Sequence, residues 1–383
     1  MSSYPTARDH TKASVLDAVL AEAPLTRNRL IELTRLSQPT VSRKVDELLV
    51  DGFVVEQGVN AVPGRGRRST YLDVPGTAGH IVGISFGAQT TCVLVTDLRG
   101  REVRHVIVPS LDEGDVGTTA EWLVDLIVET SDSAEGPLRQ IVTAVPGRVR
   151  YGTEWSGIPE SRKIFRGSLL QNAIEDRVQA PMILESDASA SLRGILKDDA
   201  SIGHAALFML STVLTFASCT DHEIAQGRTP AFGDLGGVLF SGVGNETLDG
   251  LMSAKGLLQF ARGRGLHLEG IEALWSQPQE MASRAEVVEA FTTAIVTAVG
   301  AVAVTLDPES VYFVGRLSPL VDEVLPEAGR RLAQSLPVLP ELRVVPQVIG
   351  LSVARGAAHA GLALAQSRLR ESMLEARSEG QSP

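Results

Sequence analysis

At 383 residues the chain is too long for one ordinary domain and suits two or three. A hydrophobic share of 44% against 21% charged residues provides a sizeable core and excludes a wholly disordered chain, and with only 4% aromatics that core must rest on Leu, Val, Ile and Ala. The net charge of −11 argues against nucleic acid as a partner of the whole chain, but residues 1–75 hold ten Lys and Arg against nine Asp and Glu, a balance of +1, so the remainder carries −12.

Val15, Leu16, Val19 and Leu20 recur at helical spacing over Lys12–Glu22, and Pro24 breaks that helix. Thr26 is placed to cap a second helix, Arg27–Thr34, with Leu30 and Leu33 turned inward. After the tight turn Arg35-Leu36-Ser37, Ser37 caps a third helix, Gln38–Leu49. That helix takes Pro39 in its first turn, where the missing N–H does no harm, and turns Val41, Val45, Leu48 and Leu49 to the core. Phe53–Glu56 reads as a strand and Ser69–Val74 as its hairpin partner, with Gly64-Arg65-Gly66-Arg67-Arg68 in the loop between them. Pro75-Gly76-Thr77 serves as a linker. A new α/β region follows: strands at Ile81–Phe86, Thr91–Asp97 and Val103–Val108, a helix at Thr118–Ser131, then strands at Gln140–Val145 and Pro181–Glu185. Further strands are expected at His204–Leu210, Val213–Ser218, Val238–Phe240 and Val311–Val314, and helices at Arg284–Leu306, Pro319–Gln334 and Ser352–Glu375. The strand–strand–strand–helix–strand opening can recur after residue 204, as in a fold of two related lobes.

Cys92 and Cys219 stand apart in apolar segments with no Cys/His cluster beside either, so no zinc site is expected from them and no cofactor is implied. The polar start Met1–Lys12 lacks a signal-peptide pattern, and the longest mostly apolar stretches, Ala205–Ala217 and Ala294–Leu306, fall short of the roughly 18 residues of a membrane span. A cytoplasmic protein with no membrane partner is expected.

Three helices followed by a hairpin read as a winged helix-turn-helix, which places short polar residues at the start of its third helix in a major groove. Those residues are Gln38, Pro39, Thr40, Ser42, Arg43 and Lys44. Gln suits adenine and Arg suits guanine, while Arg43 and Lys44 equally suit phosphates. Arg65, Arg67 and Arg68 put three cations on a glycine-rich loop fit for phosphates or a narrow minor groove. The implied partner is double-stranded operator DNA, read as a palindrome by a homodimer or homotetramer. A small helical protein-interaction domain with a solvated basic loop is the other reading of the same residues.

The whole chain resembles the ROK family, named for repressors, open reading frames and kinases. "LSQPTVSRKVDELLVDGFVVEQG" is similar to the operator-reading domain of that family's repressors. In the body, "GISFGAQTTCVLVTDLRG" (83–100) resembles the first phosphate loop and hairpin, "VPG" (145–147) the turn beside the sugar, and "ILESDASASLRG" (183–194) the block that holds the catalytic aspartate, here Asp187. "GDLGG" (233–237) resembles a GE-x-GH block and "GLSVARGAAHAGLALA" (350–365) the final helix. The departures bear on chemistry. Ser85 to Gln89 replace an Asp-x-Gly-Gly-Thr loop, and Ser211 to Ala217 replace a glycine-rich GTGxGxG loop, keeping only Thr212. Bulkier residues there bar the close backbone approach that phosphate needs. Gly315-Arg316 stands for a pair of glycines, Gly237 for a zinc-binding His, and Asp234 for a sugar-binding Glu. The sugar-contacting Asn falls near Arg162, with Glu160 close by.

The fold class expected is α/β, an N-terminal winged helix-turn-helix (1–75) followed by a two-lobed actin-like sugar-kinase fold. The first lobe runs over 80–188, completed by a helix at 352–375; the second, for effector and oligomerisation, over 189–351; and a disordered tail over 376–383. The resemblance implies a non-enzymatic transcriptional regulator of carbohydrate-related genes, a repressor, whose body senses a sugar or sugar derivative through Gly147, Glu160, Arg162, Asp187 and Asp234, with no catalytic or metal residues. Asp187 reads equally as a cap at a strand-to-helix turn, and Arg162 as part of a solvated basic turn. A body that senses a protein partner, and an active sugar kinase, are the alternatives.

Overall fold

The structure is a computed structural model that describes residues 7–58, 70–111, 115–150, 152–156, 168–229, 231–240, 246–276, 283–345 and 350–379. The N-terminal module consists of α1 (Ala7–Glu22), α2 (Arg27–Thr34), α3 (Gln38–Val50) and the antiparallel pair β1 (Val55–Gly58) and β2 (Thr70–Asp73). Thr26 caps α2 by accepting a hydrogen bond from the Arg29 N–H at 3.3 Å. Arg35, at φ 55°, closes α2 in the left-handed conformation. α1 starts at Ala7 rather than Lys12, because its first turn is polar and carries no apolar period to read. β1 starts at Val55 rather than Phe53, because the Phe53 N–H is taken by the Leu48 carbonyl at 3.0 Å and holds the chain in a turn. Leu16, Val19, Leu30, Val41, Val45, Leu48 and Leu72 fill the core of the module.

The body opens with β3 (His80–Phe86), β4 (Thr90–Asp97), β5 (Glu102–Pro109), α4 (Val116–Ser131) and β6 (Leu138–Val145). It continues with the short hairpin β7 (Arg148–Arg150) and β8 (Glu154–Ser156), then α5 (Leu169–Val178), β9 (Met182–Ser186) and α6 (Asp187–Asp198). The second half holds β10 (Ala205–Leu210), β11 (Leu214–Thr220), β12 (Glu223–Ile224), β13 (Leu239–Phe240) and β14 (Glu246–Thr247). The helices α7 (Leu248–Met252), α8 (Ala254–Gly263), α9 (Ala273–Ser276) and α10 (Arg284–Leu306) come next, then β15 (Ser310–Val314), α11 (Ser318–Ser335), β16 (Glu341–Val344) and α12 (Leu351–Glu379). The first sheet has the order β5-β4-β3-β6-β9 and the second β12-β11-β10-β15-β16. Each is an antiparallel meander joined by two parallel strands, so the two lobes share one topology. The parallel strands need helical crossovers, which α4, α5, α10 and α11 supply. β7, β8, β12, β14 and β16 are too short for an alternating pattern, and they are the strands that sequence periodicity missed.

Helices line both faces of each sheet. α4 and α5 cover the outer face of the first, and α7, α8, α10 and α11 the outer face of the second. α12 lies on the inner face of the first sheet and α6 on that of the second, and the two helices cross. α10 has the length and hydropathy of a membrane span, but Phe291, Ile295, Val299 and Val302 bury one side of it in the second lobe. α12 runs on to Glu379, so the irregular tail expected from 376 is helix over its first residues. The last part of α12 joins the N-terminal module. Leu362, Ala365, Leu369 and Met373 share one core with Leu16, Leu30 and Leu48. Gln366 Nε2 donates to the Leu98 carbonyl at 3.1 Å, and Arg99 Nη1 donates to Asp73 Oδ2 at 2.6 Å.

The crossing of α6 and α12 depends on small residues. A Cβ on Gly356 would lie 1.8 Å from the Ala190 carbonyl oxygen, and one on Gly83 of β3 would lie 2.2 Å from that of Ala354. Gly356→Ala is expected to destabilise the protein by about 1–3 kcal/mol through overpacking, read as a lower midpoint in urea. An unchanged midpoint would contradict the close crossing.

Candidate functional site

The N-terminal face of α3 presents Gln38, Pro39 and Arg43 to solvent, with Thr40 and Ser42 partly exposed. Thr40 Oγ1 lies 2.8 Å from Ser37 Oγ, which fixes the entry to the helix. Arg27 holds α3 against its neighbours: it donates to the Ser42 carbonyl at 3.3 Å, to Asp46 at 3.0 Å and to Glu56 of β1 at 2.9 Å. Lys44 must be removed from the expected set. It is wholly buried, and its Nζ donates to Glu47 Oε2 at 2.9 Å, because position 44 shares the inner face with Val41, Val45 and Leu48. Arg35, in the turn between α2 and α3, is exposed at the entrance to α3 and has no ion pair among the described residues. Arg65, Arg67 and Arg68 lie outside the described residues; β1 and β2 lead to and from that loop.

Between the lobes lies a chamber of about 340 Å³. Its walls include the loop Ser85–Thr90, the turn at Ser211 and Thr212, Gly315 and Arg316, and on its floor Asp187 and Val353 of α12. These are the stretches that the resemblance assigns to phosphate. Asp187 occupies the first turn of α6 and accepts hydrogen bonds on Oδ1 from Thr215 Oγ1 and from the Ala188 N–H, both at 2.8 Å. A helix N-terminus favours its charged form by only about 0.3–2 kcal/mol. Desolvation by the two enclosing lobes outweighs that and pushes its pKa up to about 7. Arg316 is committed to Glu272, whose pKa is held low by the pair.

A second hollow of about 160 Å³ opens beside the first, lined by Gly147, Arg148, Ser186, Thr215 and Phe216 among others. Gly147 sits at φ 112°, a conformation that side chains resist. Asp234 is in place nearby but engaged by Arg148 in an ion pair, so the cation that the sequence left unremarked neutralises the acid expected to meet a sugar. Glu160 and Arg162 lie outside the described residues.

The residues present do not fit a magnesium-nucleotide. Among the described residues that line the larger chamber, Asp187 is the only acid and Arg316 the only base, and the latter is paired. Nor do they fit the family's zinc: Gly237 offers no ligand, and no group of three or more His, Cys, Asp or Glu suited to a metal occurs among the described residues.

The ROK family model matches residues 81–364. The xylose repressor of Bacillus subtilis strain 168 is 27% identical over 232 residues, which are 58% of this chain and 58% of the repressor. A transcriptional regulator of Mycobacterium bovis is 37% identical over 103 residues, 27% of this chain and 24% of its own. The chain thus spans less than two thirds of the length of these curated relatives. Among solved structures, a ROK family transcriptional regulator, homologue of the Escherichia coli MLC protein, superposes with a TM-score of 0.73 at 16% identity, covering 96% of this chain and 99% of its own. A ROK hexokinase from Thermus thermophilus superposes with a TM-score of 0.61 at 20% identity over 75% of this chain and 99% of its own. Both likenesses are of fold, and only the first extends over almost the whole chain. Since the family match begins in β3 and ends in α12, it takes in both lobes, and the chain belongs to the ROK family.

Proposed function

We propose that this chain is a DNA-binding transcriptional repressor of carbohydrate-related genes, acting in the cytoplasm on palindromic operator DNA as a dimer or tetramer, with a non-catalytic kinase-like body that senses a sugar or sugar derivative. One observation carries the reading. The module that exposes Gln38, Thr40 and Arg43 shares its core with the end of α12, while Val353 at the start of the same helix lines the interlobe chamber. A ligand that alters how the lobes close on α12 therefore has a rigid path to the DNA-reading face. The relatives named as xylose repressors support the carbohydrate link, and the lost phosphate loops favour an uncharged effector over a nucleotide.

Asp187 sets a pH signature. Its folded pKa of about 7 lies above the ordinary 3.8, so between these values the folded state holds a proton that the unfolded state has released. Stability then falls as pH rises from about 4 to about 7 and is level above that. Asp187→Asn removes this penalty: it is expected to stabilise the protein by roughly 1–4 kcal/mol at pH 8 and by little near pH 4. Urea unfolding at both pH values checks this, and an equal effect at both contradicts it.

Turnover is expected to stay at background when the protein is incubated with ATP, magnesium and a panel of hexoses and pentoses in a coupled assay. Phosphoryl transfer depends on positioning and charge neutralisation, and neither loop supplies them. Phosphorylation above background that disappears in Asp187→Asn would instead establish a kinase.

On operator fragments selected from genomic DNA, Gln38→Ala is expected to cost about 1–3 kcal/mol on the cognate site and little on scrambled duplex. Arg67→Ala should weaken both and lower the slope of log affinity against log salt by about one if it meets a phosphate. Lys44→Met should leave that slope unchanged, because the ammonium is buried. Fluorescence anisotropy at several salt concentrations reads all three. If Gln38→Ala and Arg67→Ala both leave cognate affinity intact, the module does not read DNA.

A further inference from the structure

A third hollow, of about 270 Å³, lies between the edge strand β9, the helices α6 and α12, the β7–β8 hairpin and Gln226 of the second lobe. It shares a wall with the hollow beside Gly147 but contains neither Asp187 nor any residue of the phosphate-type loops. Glu185 projects from β9 toward α6, only 9% exposed. Its Oε1 accepts from Arg193 Nη2 at 2.8 Å. Its Oε2 and the Arg193 Nε have no hydrogen-bond partner among the described residues. A buried carboxylate oxygen and a buried guanidinium N–H left unpaired side by side are costly in a folded protein, and such groups call for a ligand or a bound water. Among the described residues that line the hollow, Glu185 and Arg193 are the only charged ones; His359, on the neighbouring face of α12, has its pKa pushed down to about 4 by burial and by Lys197 and Arg193, and so stays neutral.

Both atoms are shielded from solvent as the pair stands, so a ligand reaches them when the side chains turn toward the hollow; turned so, the acceptor on Glu185 and the donor on Arg193 match adjacent hydroxyl groups, one donating to the carboxylate and its neighbour accepting from the guanidinium. Ser186 and Ser189 add hydroxyls on the same wall, Ile183 and Leu364 give it an apolar side, and the volume is below that of most drug-sized pockets, about 300–1,000 Å³. We propose that this hollow is a second small-molecule site, for a compact ligand carrying vicinal hydroxyls, of monosaccharide size or smaller. It is independent of the effector reading of the cleft. Its contact with Ala360, Ala363 and Leu364 puts it on α12 between the cleft and the DNA-reading module.

The test uses the full chain carrying Asp187→Asn, which removes the acid of the cleft and leaves every residue that lines the hollow in place. Ligand-observed NMR titrations with D-xylose and glycerol are expected to show binding, and 1,3-propanediol, whose hydroxyls are not adjacent, to show none. Adding Glu185→Gln, which keeps the shape but not the charge, should weaken D-xylose by roughly tenfold or more, about 1.4 kcal/mol. Adding Ala363→Trp, an exposed position at the rim where an indole closes the mouth, should do the same with an unchanged melting temperature. Failure of D-xylose and glycerol to bind Asp187→Asn, equal binding of 1,3-propanediol, or undiminished D-xylose affinity in both added variants overturns the proposal. The difference between the wild-type chain and Asp187→Asn reports on the cleft separately.

Discussion

Gly356 brings the backbone of α12 against the Ala190 carbonyl of α6, and Gly83 brings that of β3 against Ala354. Ala357 and Ala358 keep the rest of that surface flat. The two lobes meet at this crossing of backbones, around which Val142, Val353, Leu207, Met209 and Tyr312 form one shared core. Packing of this kind transmits displacement well, because interiors are dense and have little room to absorb a shift. α12 passes from the chamber, through the crossing, to the core of the N-terminal module, so the relative position of the lobes and the orientation of α3 are set by one rigid element.

Desolvation decides the electrostatics of the cleft. Asp187 has two hydrogen-bond donors and a helix N-terminus on its side, yet enclosure between two lobes dominates and its pKa rises. At the outer wall the balance is different. Arg148 with Asp234 and Arg316 with Glu272 are partly exposed pairs, which cost little to form and contribute little to stability. Their effect is to leave the cleft with few free charges, which suits an uncharged ligand.

The body keeps an interlobe chamber although the residues on its walls differ from those of the phosphate loops they resemble. The loops Ser85–Thr90 and Ser211–Thr212 still form the walls that phosphate-type loops would form. The side chains on them carry no magnesium-organising acid and no glycine-rich cradle. The pocket remains because the two β-meanders dictate its shape, and the meanders are set by their hydrophobic strands rather than by the loops.

Periodicity in the sequence was enough to determine the helices of the N-terminal module, the long helix Arg284–Leu306 and the buried strands of both sheets, since each is long enough for a 3.6- or 2-residue period to stand out. The order of those elements, with the motif blocks around Asp187 and Gly356, was enough for the family and for two lobes of one topology. Other features depend on contacts far apart in sequence. Lys44 reads as a surface cation and is buried, because the rotation of α3 about its axis is fixed by α1 and α2. Asp234 reads as free for a ligand and is paired, because Arg148 reaches it from the other lobe. Glu185 and Arg193 are ordinary charged residues until β9, α6 and α12 enclose them. Local pattern determines which segments fold; only tertiary packing decides which charged side chains lose water and which partners they meet.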